Sequence, residues 1–475
     1  MVFSSTVFLY IFLPTAILLY FVMPGQRSKN IMLALLSLVF YAWGEPVWVT
    51  LLIFSSLLDY TCGRVMGRFR GQKYARYAIY ASVIINLGLL MTFKYSNFLI
   101  DTFNALTGLS VPGTRWTLPI GISFYTFQTL SYSIDVHRGN VKVQKSFWDF
   151  LLFVSLFPQL IAGPIVRYAD VAAQLPARKT TMEEFTLGTT RFLCGLAKKI
   201  LLANYAGAVT ERLLAGSTFS TLTVTGAWVS MALYTFHIYF DFSGYSDMAI
   251  GLGRMFGFSY PENFDHPFMS TSITEFWRRW HISLGGFLRD YVYIPLGGSR
   301  RGLLMQIRNM FIVMALTGLW HGASWNFVIW GLWFFAFLCI EKLVGTNKLG
   351  KIPGFIGRPY TFLVVMFSLA FFYFESMSDA GTVLSALLGR APGGFVNTES
   401  RLALINSIPL FLLCIFATRD FAARIARRYA DAMSKGVISI STFSVSAIIY
   451  NTLMLALSTV SLMGSTYNPF IYFRF

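Results

Sequence analysis

A histidine interrupts an apolar stretch of the chain, LTGLWHGASWNFVIWGLW (316–333), in which four of the eighteen residues are tryptophan. Because a charged side chain is costly in lipid, an ionisable residue such as His321 in this setting predicts a functional site. Burial favours the neutral imidazole, the form that can take a proton from an attacking hydroxyl. The alternative is a structural histidine hydrogen-bonded to a neighbouring helix, and the residue types alone leave both interpretations open.

A second histidine, His281, lies in SITEFWRRWHISLGGFLRDYVYIPLGG (272–298), which mixes aromatic and basic residues. This mixture is typical of a helix lying in the headgroup region of a membrane. Its arginines fit an interfacial anchor, and they also fit binding of the phosphates of an incoming donor. The candidates for donor binding are Arg278, Arg279 and Arg289.

A third polar group lies in YTFHIYFDFSGYSDMAIGLG (234–253), which contains Asp241, Ser243, Tyr245 and Asp247. These side chains are too polar to face lipid, so we expect them to face protein or a wet cavity. His237 precedes Asp241 by four residues, and the two side chains can share one face of a helix. Structural hydrogen bonding is the simpler role for most of this cluster.

Several other chemistries lack their motifs. The chain has no GxSxG elbow, no Walker loop and no HExxH zinc helix. The four cysteines are far apart and form no CxxC pair, which indicates small buried side chains and no metal site. A transporter stays open because midplane polar groups also mark transport sites, although the sequence shows no paired half-repeat.

These residues are carried by a strongly apolar chain of 475 residues, 55% hydrophobic and 12% charged. Soluble proteins carry roughly 25% charged residues. The long apolar runs do not alternate, so they predict helices, and we expect an all-α polytopic membrane protein. The net charge of +17 is explained by basic cytoplasmic loops facing anionic lipid, and no nucleic-acid motif is present.

Ten apolar segments are candidate membrane crossings. They are residues 3–23, 30–44, 46–60, 77–99, 116–135, 186–213, 224–247, 359–376, 402–418 and 443–463. Three basic loops favour the cytoplasm, which places the N-terminus outside. Their cations are Arg64, Arg68, Arg70, Lys73 and Arg76; Arg278, Arg279, Arg289, Arg300, Arg301 and Arg308; and Arg419, Arg424, Arg427, Arg428 and Lys435.

Two further apolar stretches do not fit the pattern of a single membrane-spanning helix. Residues 147–165 are broken by Pro158. The leg from Asn309 to His321 is about a dozen residues, or ~18 Å, which is short of the ~30 Å hydrocarbon core. The next leg, 325–340, leads to a loop with Lys342, Lys348, Lys351 and Arg358. We therefore predict a re-entrant hairpin whose small residues pack closely and hold His321 at mid-depth.

The motifs, taken together, resemble the membrane-bound O-acyltransferase (MBOAT) family, in the branch of the alginate O-acetyltransferase membrane subunits. The resemblance runs from about residue 115 to the end of the chain. It is carried by FYTFQTLSYSIDVHRG, FPQLIAGPIVR, GLAKKILLAN, YFDFSGYSDMAIGLGRMFGF, ENFDHPF, SITEFWRRWHISLGGFLRDYVYIPLGG, GLWHGASWNFVIWG and NPFIYFRF. Two departures are Tyr373, where related chains often have arginine, and His237, where they often have glutamine.

The resemblance implies one integral-membrane domain over residues 1–475, with ten or eleven helices and re-entrant segments around a central tunnel. His321 matches the catalytic histidine of the family, and His281 matches its second histidine. The polar lining of the tunnel would come from Asp241, Ser243, Tyr245, Asp247, Trp320 and Asn326. No bound cofactor is implied. A periplasmic partner of the SGNH hydrolase type would complete the transfer to a polysaccharide as part of a biosynthesis complex.

The sequence therefore predicts an O-acetyltransferase of a bacterial inner membrane. Acetyl-CoA is the expected donor from the cytoplasm and an extracellular polysaccharide the expected acceptor. We expect His321 to act as general base, and His281 to orient the acyl group or stabilise the oxyanion. The alternatives are an enzyme of the same family acylating a wall polymer or a lipid, and a transporter of acyl groups or polysaccharide.

Overall fold

The computed structural model describes residues 1–214, 221–345, 350, 352–419, 440–464 and 467–468. Over this part of the chain the regular elements are helices, with no strand. Six predicted loop cations fall outside the described residues: Lys348, Lys351, Arg424, Arg427, Arg428 and Lys435. So does most of the terminal NPFIYFRF motif.

The helices are numbered here in chain order. The first nine are α1 (Phe8–Val22), α2 (Gly25–Ala42), α3 (Val49–Arg68), α4 (Lys73–Thr107), α5 (Ile122–Arg138), α6 (Phe147–Ser155), α7 (Phe157–Leu160), α8 (Tyr168–Val171) and α9 (Met182–Leu214). The others are α10 (Val224–Met255), α11 (Ile273–Arg279), α12 (Ile282–Leu288), α13 (Leu303–His321), α14 (Trp325–Val344), α15 (Gly354–Tyr373), α16 (Met377–Leu387), α17 (Thr398–Ala417) and α18 (Ile440–Gly464). π-Helical turns occur at Phe8–Phe12, Met91–Tyr95, Lys198–Ala203 and Arg289–Tyr293.

Eight helices in the described residues are long and apolar enough to cross a membrane. They are α3, α4, α9, α13, α14, α15, α17 and α18, the last counted from Val445. The prediction of a polytopic all-α membrane protein is confirmed. Six of the eight coincide with predicted crossings, and the predicted break at Glu45–Pro46 separates α2 from α3. The exact number of crossings stays a prediction.

The chain divides into two compact units. The first contains Met1–Phe192 and Ser246–Glu262, and the second contains Leu193–Tyr245 and Asn263–Phe475. The prediction of a single domain over residues 1–475 stays a prediction. The two histidines of interest and most of the other candidate site residues belong to the second unit.

In the first unit, α3 packs against α4, α5 and α6. Its buried Asp59 accepts hydrogen bonds from Ser82 and Asn86 of α4 and from Ser133 of α5. A carboxyl group inside an apolar bundle is costly unless its oxygens are satisfied in this way. The hydrogen bonds of Asp59 therefore hold the three helices in one register.

In the second unit, α13 and α14 form a hairpin, and α14 also packs against α15. The core around them is largely aromatic and includes Phe276, Trp330, Phe334 and Phe372. Aromatic pairs at ring-centroid distances of 4.5–7 Å add stability beyond their buried area. This packing fixes the end of α13, where His321 lies.

The short leg predicted before His321 is wrong. α13 begins at Leu303, six residues before Asn309, and has 19 residues, which at 1.5 Å per residue is about 28 Å. α14 has 20 residues. Both legs therefore have the length of a full crossing, and leg length no longer places His321 at mid-depth. The stretch 147–165, in contrast, forms only the short helices α6 and α7.

The predicted close packing of small residues in this hairpin is confirmed. A Cβ atom added to Gly318 would overlap the carbonyl oxygen of Phe327, and one added to Gly331 would overlap that of Met314. The backbones of α13 and α14 thus approach so closely that no side chain fits between them. Small residues allow this approach between membrane helices.

We expect Gly318→Ala to destabilise the protein by about 1–3 kcal/mol, because the added methyl group forces α13 and α14 apart. The measurement is the thermal stability of the purified protein in detergent. Gly381→Ala on α16 is the matched control, since a Cβ atom there meets nothing within 4 Å. An equal effect of the two substitutions would contradict the close-packing argument.

Candidate active site

His321 is the last residue of α13 and is 4% exposed. Its imidazole lies among three aromatic rings, with centroid distances of 5.0 Å to Trp320, 4.9 Å to Trp330 and 5.4 Å to Phe372. The ring planes are close to perpendicular for Trp320 and Trp330. The carboxyl end of a helix favours a positive charge. The site therefore suits an imidazole that gains a proton during a reaction.

His281 lies at the break between α11 and α12 and is 1% exposed. Its backbone adopts φ 45° and ψ 53°, a left-handed conformation that is rare for residues other than glycine. Such a conformation costs about 1–3 kcal/mol and persists where the surroundings enforce it. The single interfacial helix predicted over this segment is therefore wrong, since two seven-residue helices meet at His281.

The ring of Trp320 contacts both histidines. Its centroid lies 5.7 Å from that of His281 and 5.0 Å from that of His321. Phe242 of α10 covers another side of His281 at 4.7 Å. The structure thus brings the two sequence-predicted histidines, 40 positions apart in the chain, to one aromatic site in the second unit.

Asn263 holds His281 from the preceding loop. Its Oδ1 lies 3.0 Å from Nδ1 of His281 and accepts hydrogen bonds from the hydroxyl and the backbone N–H of Ser283. Two backbone hydrogen bonds align the segments: Ile282 N–H donates to Asn263 C=O, and Asp265 N–H donates to Arg279 C=O. The sequence analysis missed Asn263, although it lies in the ENFDHPF motif that helped to carry the resemblance.

The environment of His281 favours its neutral form. Burial lowers the pKa of His281 well below its usual range, and the nearby His321 lowers this pKa further. Nε2 of His281 is buried and has no hydrogen-bond partner among the described residues. His281 can therefore offer an uncharged imidazole nitrogen to a bound molecule.

The polar cluster of α10 faces α9. Asp241 forms an ion pair of 2.5 Å with Lys199, and both side chains are at most 1% exposed. One turn away, Nδ1 of His237 lies 2.7 Å from the carbonyl oxygen of Ala203. His237 and Asp241 thus share a helical face, as predicted, but each has its own partner on α9. The sequence analysis did not assign Lys199 a role, although two lysines inside an apolar run (GLAKKILLAN) are a signal of this kind.

The other members of the predicted tunnel lining are separated. Ser243 and Tyr245 are buried on α10. Asp247 belongs to the first unit, where its carboxylate binds Arg191 at 2.9 Å, and Arg191 also binds Glu262. Asn326 is buried and donates its amide to the carbonyl oxygen of Phe374. Asp247 therefore pairs within the first unit and Asn326 joins α14 to the end of α15, while the tunnel lining stays a prediction.

Two of the three predicted donor-binding arginines pair with carboxylates. Arg279 binds Glu275 at 2.9 Å and Asp265 at 3.6 Å, while Arg289 binds Asp290 at 2.7 Å. Arg278 is exposed, and no ion pair of this residue with an acidic side chain of the described part of the chain is found. The role of the three arginines in donor binding stays a prediction.

Comparison with known proteins gives consistent matches. The profile of the family described as membrane-bound O-acyltransferase matches residues 140–348. The probable alginate O-acetylase AlgI of Pseudomonas putida is 39% identical, with all of both chains aligned. The peptidoglycan O-acetyltransferase of Helicobacter pylori is 31% identical over 87% of this chain and 88% of its own. The teichoic acid D-alanyltransferase of Bacillus subtilis is 29% identical over 45% of this chain and 56% of its own.

Proposed function

The chain belongs to the membrane-bound O-acyltransferase family and is a membrane O-acetyltransferase, and from this premise we propose its donor, its acceptor and the roles of its two histidines. The donor is acetyl-CoA from the cytoplasm. The acceptor is a hydroxyl group on the pathway to an extracytoplasmic polysaccharide, in a bacterial inner membrane. The observation that carries this proposal is the convergence of His321 and His281 on Trp320 in one buried site.

The reaction requires proton transfer at one centre. His321 takes the proton of the acceptor hydroxyl as its oxygen attacks the thioester carbon of the donor. The resulting intermediate collapses, the C–S bond breaks, and the sulfur leaves as a thiol with the proton that His321 returns. The carboxyl end of α13 stabilises the imidazolium between these two steps.

The acetyl group needs only a small apolar space. Such a cavity is lined by Trp277, Trp330 and Phe334, among other apolar side chains. Trp330 lines this cavity and also contacts His321, so the ring of Trp330 lies between the cavity and the base. We place the methyl of the acetyl group on this side of His321, while His281 orients the substrate from the side of Trp320.

The names of two relatives support the proposed acceptor polymer. The Pseudomonas putida relative, aligned over its whole length, is named an alginate O-acetylase, which favours alginate or a similar exopolysaccharide. The Helicobacter pylori relative makes peptidoglycan the second candidate. We further propose that a periplasmic SGNH-type partner completes the transfer and that both proteins act within a polysaccharide biosynthesis complex.

The proposal is tested with membrane vesicles that carry the chain. Vesicles with the cytoplasmic face outward receive acetyl-CoA labelled in the acetyl group, and unacetylated alginate oligosaccharides are enclosed with a periplasmic SGNH-type partner. We expect alkali-labile label on the sugar, since an O-ester is hydrolysed by base. Peptidoglycan fragments in place of alginate test the second acceptor, and a lack of ester on both would contradict the proposal.

A further inference from the structure

The arrangement around Asn263 decides which nitrogen of His281 carries the proton. Oδ1 of Asn263 lies within hydrogen-bond distance of Nδ1 of His281, at 3.0 Å, and of the hydroxyl and the backbone N–H of Ser283, at 2.8 and 3.3 Å. A backbone N–H can only donate, so the side-chain atom that faces it must be the carbonyl oxygen of the amide. That oxygen can only accept. The hydrogen bond to His281 is therefore donated by Nδ1–H.

Among the described residues, the other potential donor to Nδ1 is the Ser283 hydroxyl. The Ser283 hydroxyl lies 3.5 Å from this nitrogen but 2.8 Å from Oδ1 of Asn263, which is the better acceptor for its proton by distance. The neutral His281 has one ring proton, and burial together with His321 keeps it neutral. With that proton on Nδ1, Nε2 bears a lone pair.

We propose that Asn263 is a positioning residue that locks His281 in the Nδ1–H tautomer and thereby makes Nε2 a hydrogen-bond acceptor for bound substrate. The group that it accepts from is an O–H or N–H of the substrate, such as a sugar hydroxyl beside the reacting one or an amide of the donor. A nitrogen with a bare lone pair cannot donate to an oxyanion. His281 thus orients the substrate. The Nδ1–H tautomer excludes oxyanion stabilisation by Nε2, which is the other role expected of His281 from the sequence.

The turn geometry supports the same role. The left-handed backbone at His281 ends α11 and begins α12, and the segment 263–265 pairs with 279–282 through two backbone hydrogen bonds. The imidazole is therefore fixed both through its side chain and through its own backbone. Outer partners that hold a histidine in one orientation commonly control its activity.

The tautomer can be read directly by solid-state NMR of the full chain in lipid bilayers with isotope-labelled histidine. The chain has five histidines, and loss of one signal in His281→Gln assigns His281. We expect the ring carbon shifts of the Nδ1–H form in the wild type. In Asn263→Leu we expect a shift to the Nε2–H form, which free imidazole side chains prefer. A wild-type His281 in the Nε2–H form would overturn the proposal, whatever the variants do.

His237 is the internal control for this measurement. Its Nδ1 lies 2.7 Å from the carbonyl oxygen of Ala203, which can only accept, so His237 is also an Nδ1–H tautomer. Its signal should stay unchanged in Asn263→Leu. Asn263→Asp keeps an acceptor of the same shape and should retain Nδ1–H on His281. An unchanged His281 tautomer in Asn263→Leu would overturn the assignment of Asn263, and a failure of this variant to accumulate leaves the wild-type and Asn263→Asp spectra to decide.

A kinetic measurement connects the tautomer of His281 to catalysis. This measurement rests on the proposed function. In the labelled-acetyl vesicle assay, Asn263→Leu should lower kcat by about one to two orders of magnitude, while Asn263→Asp recovers much of it. Ser283→Ala, which keeps the backbone donor, should have a smaller effect. Equal kcat in wild type and Asn263→Leu, with the tautomer changed, would overturn the substrate role of Nε2. Absence of transfer by the wild type would instead contradict the proposed function and leave the NMR result standing.

Discussion

His321→Ala will reduce O-acetyl transfer by about 10²–10⁴-fold, the usual contribution of a general base. The substitution removes the imidazole that is to take the hydroxyl proton and leaves the other elements of the site in place. The measurement is the initial rate of label transfer from acetyl-CoA in vesicles, normalised to the amount of chain in the membrane. The amount itself is measured by immunoblot and by the elution profile of the solubilised protein.

The control for this substitution is His266→Ala. His266 lies outside the site, its side chain is 31% exposed, and its nearest charged partner is Asp265. We expect normal transfer from this variant. Normal transfer by His321→Ala would contradict the catalytic assignment. Loss of the His321→Ala chain from the membrane would favour the structural interpretation, in which the imidazole chiefly fills the space among Trp320, Trp330 and Phe372.

The same site shows what could be predicted from sequence. The all-helical membrane class, most of the crossings and the two histidines follow from apolar runs and from the cost of ionisable groups in lipid. That both histidines belong to one site is implied only by the family resemblance. Their shared contact with Trp320 is a finding of the structure, since a contact across 40 positions has no local signal. The residue types alone left the catalytic and structural interpretations of His321 open.

The errors of the sequence analysis have local causes. In the sequence, Asn309 follows the basic Arg308 and marks the expected start of the leg before His321, but α13 begins at Leu303 and Asn309 is buried against backbone carbonyl groups. The break of the predicted interfacial helix at His281 depends on tertiary hydrogen bonds of Asn263, which no periodicity reveals. The pairing of Asp241 depends equally on a residue of another helix, Lys199.

Replacing Lys199 with methionine will destabilise the protein by about 3–5 kcal/mol, because it leaves the carboxylate of Asp241 buried without its ion-pair partner. Methionine keeps the length of the lysine stem and removes only the charge. We expect much less chain in the membrane and a lower melting temperature of the protein that remains. Lys198→Met is the control, since Lys198 is only half-buried and its loss should have a smaller effect.

The double variant Lys199→Met with Asp241→Leu separates the cost of an unpaired charge from the value of the pair. Buried ion pairs often contribute little compared with apolar side chains of similar volume, so removal of both charges should restore most of the stability. A strongly non-additive cycle of the two single variants and the double variant is therefore expected. If the double variant accumulates and transfers acetyl groups, the pair only holds α9 against α10. If the double variant accumulates but transfers no acetyl groups, a purely structural role of the ion pair is contradicted. Asp241 then acts in the path of the substrate, as the resemblance implies.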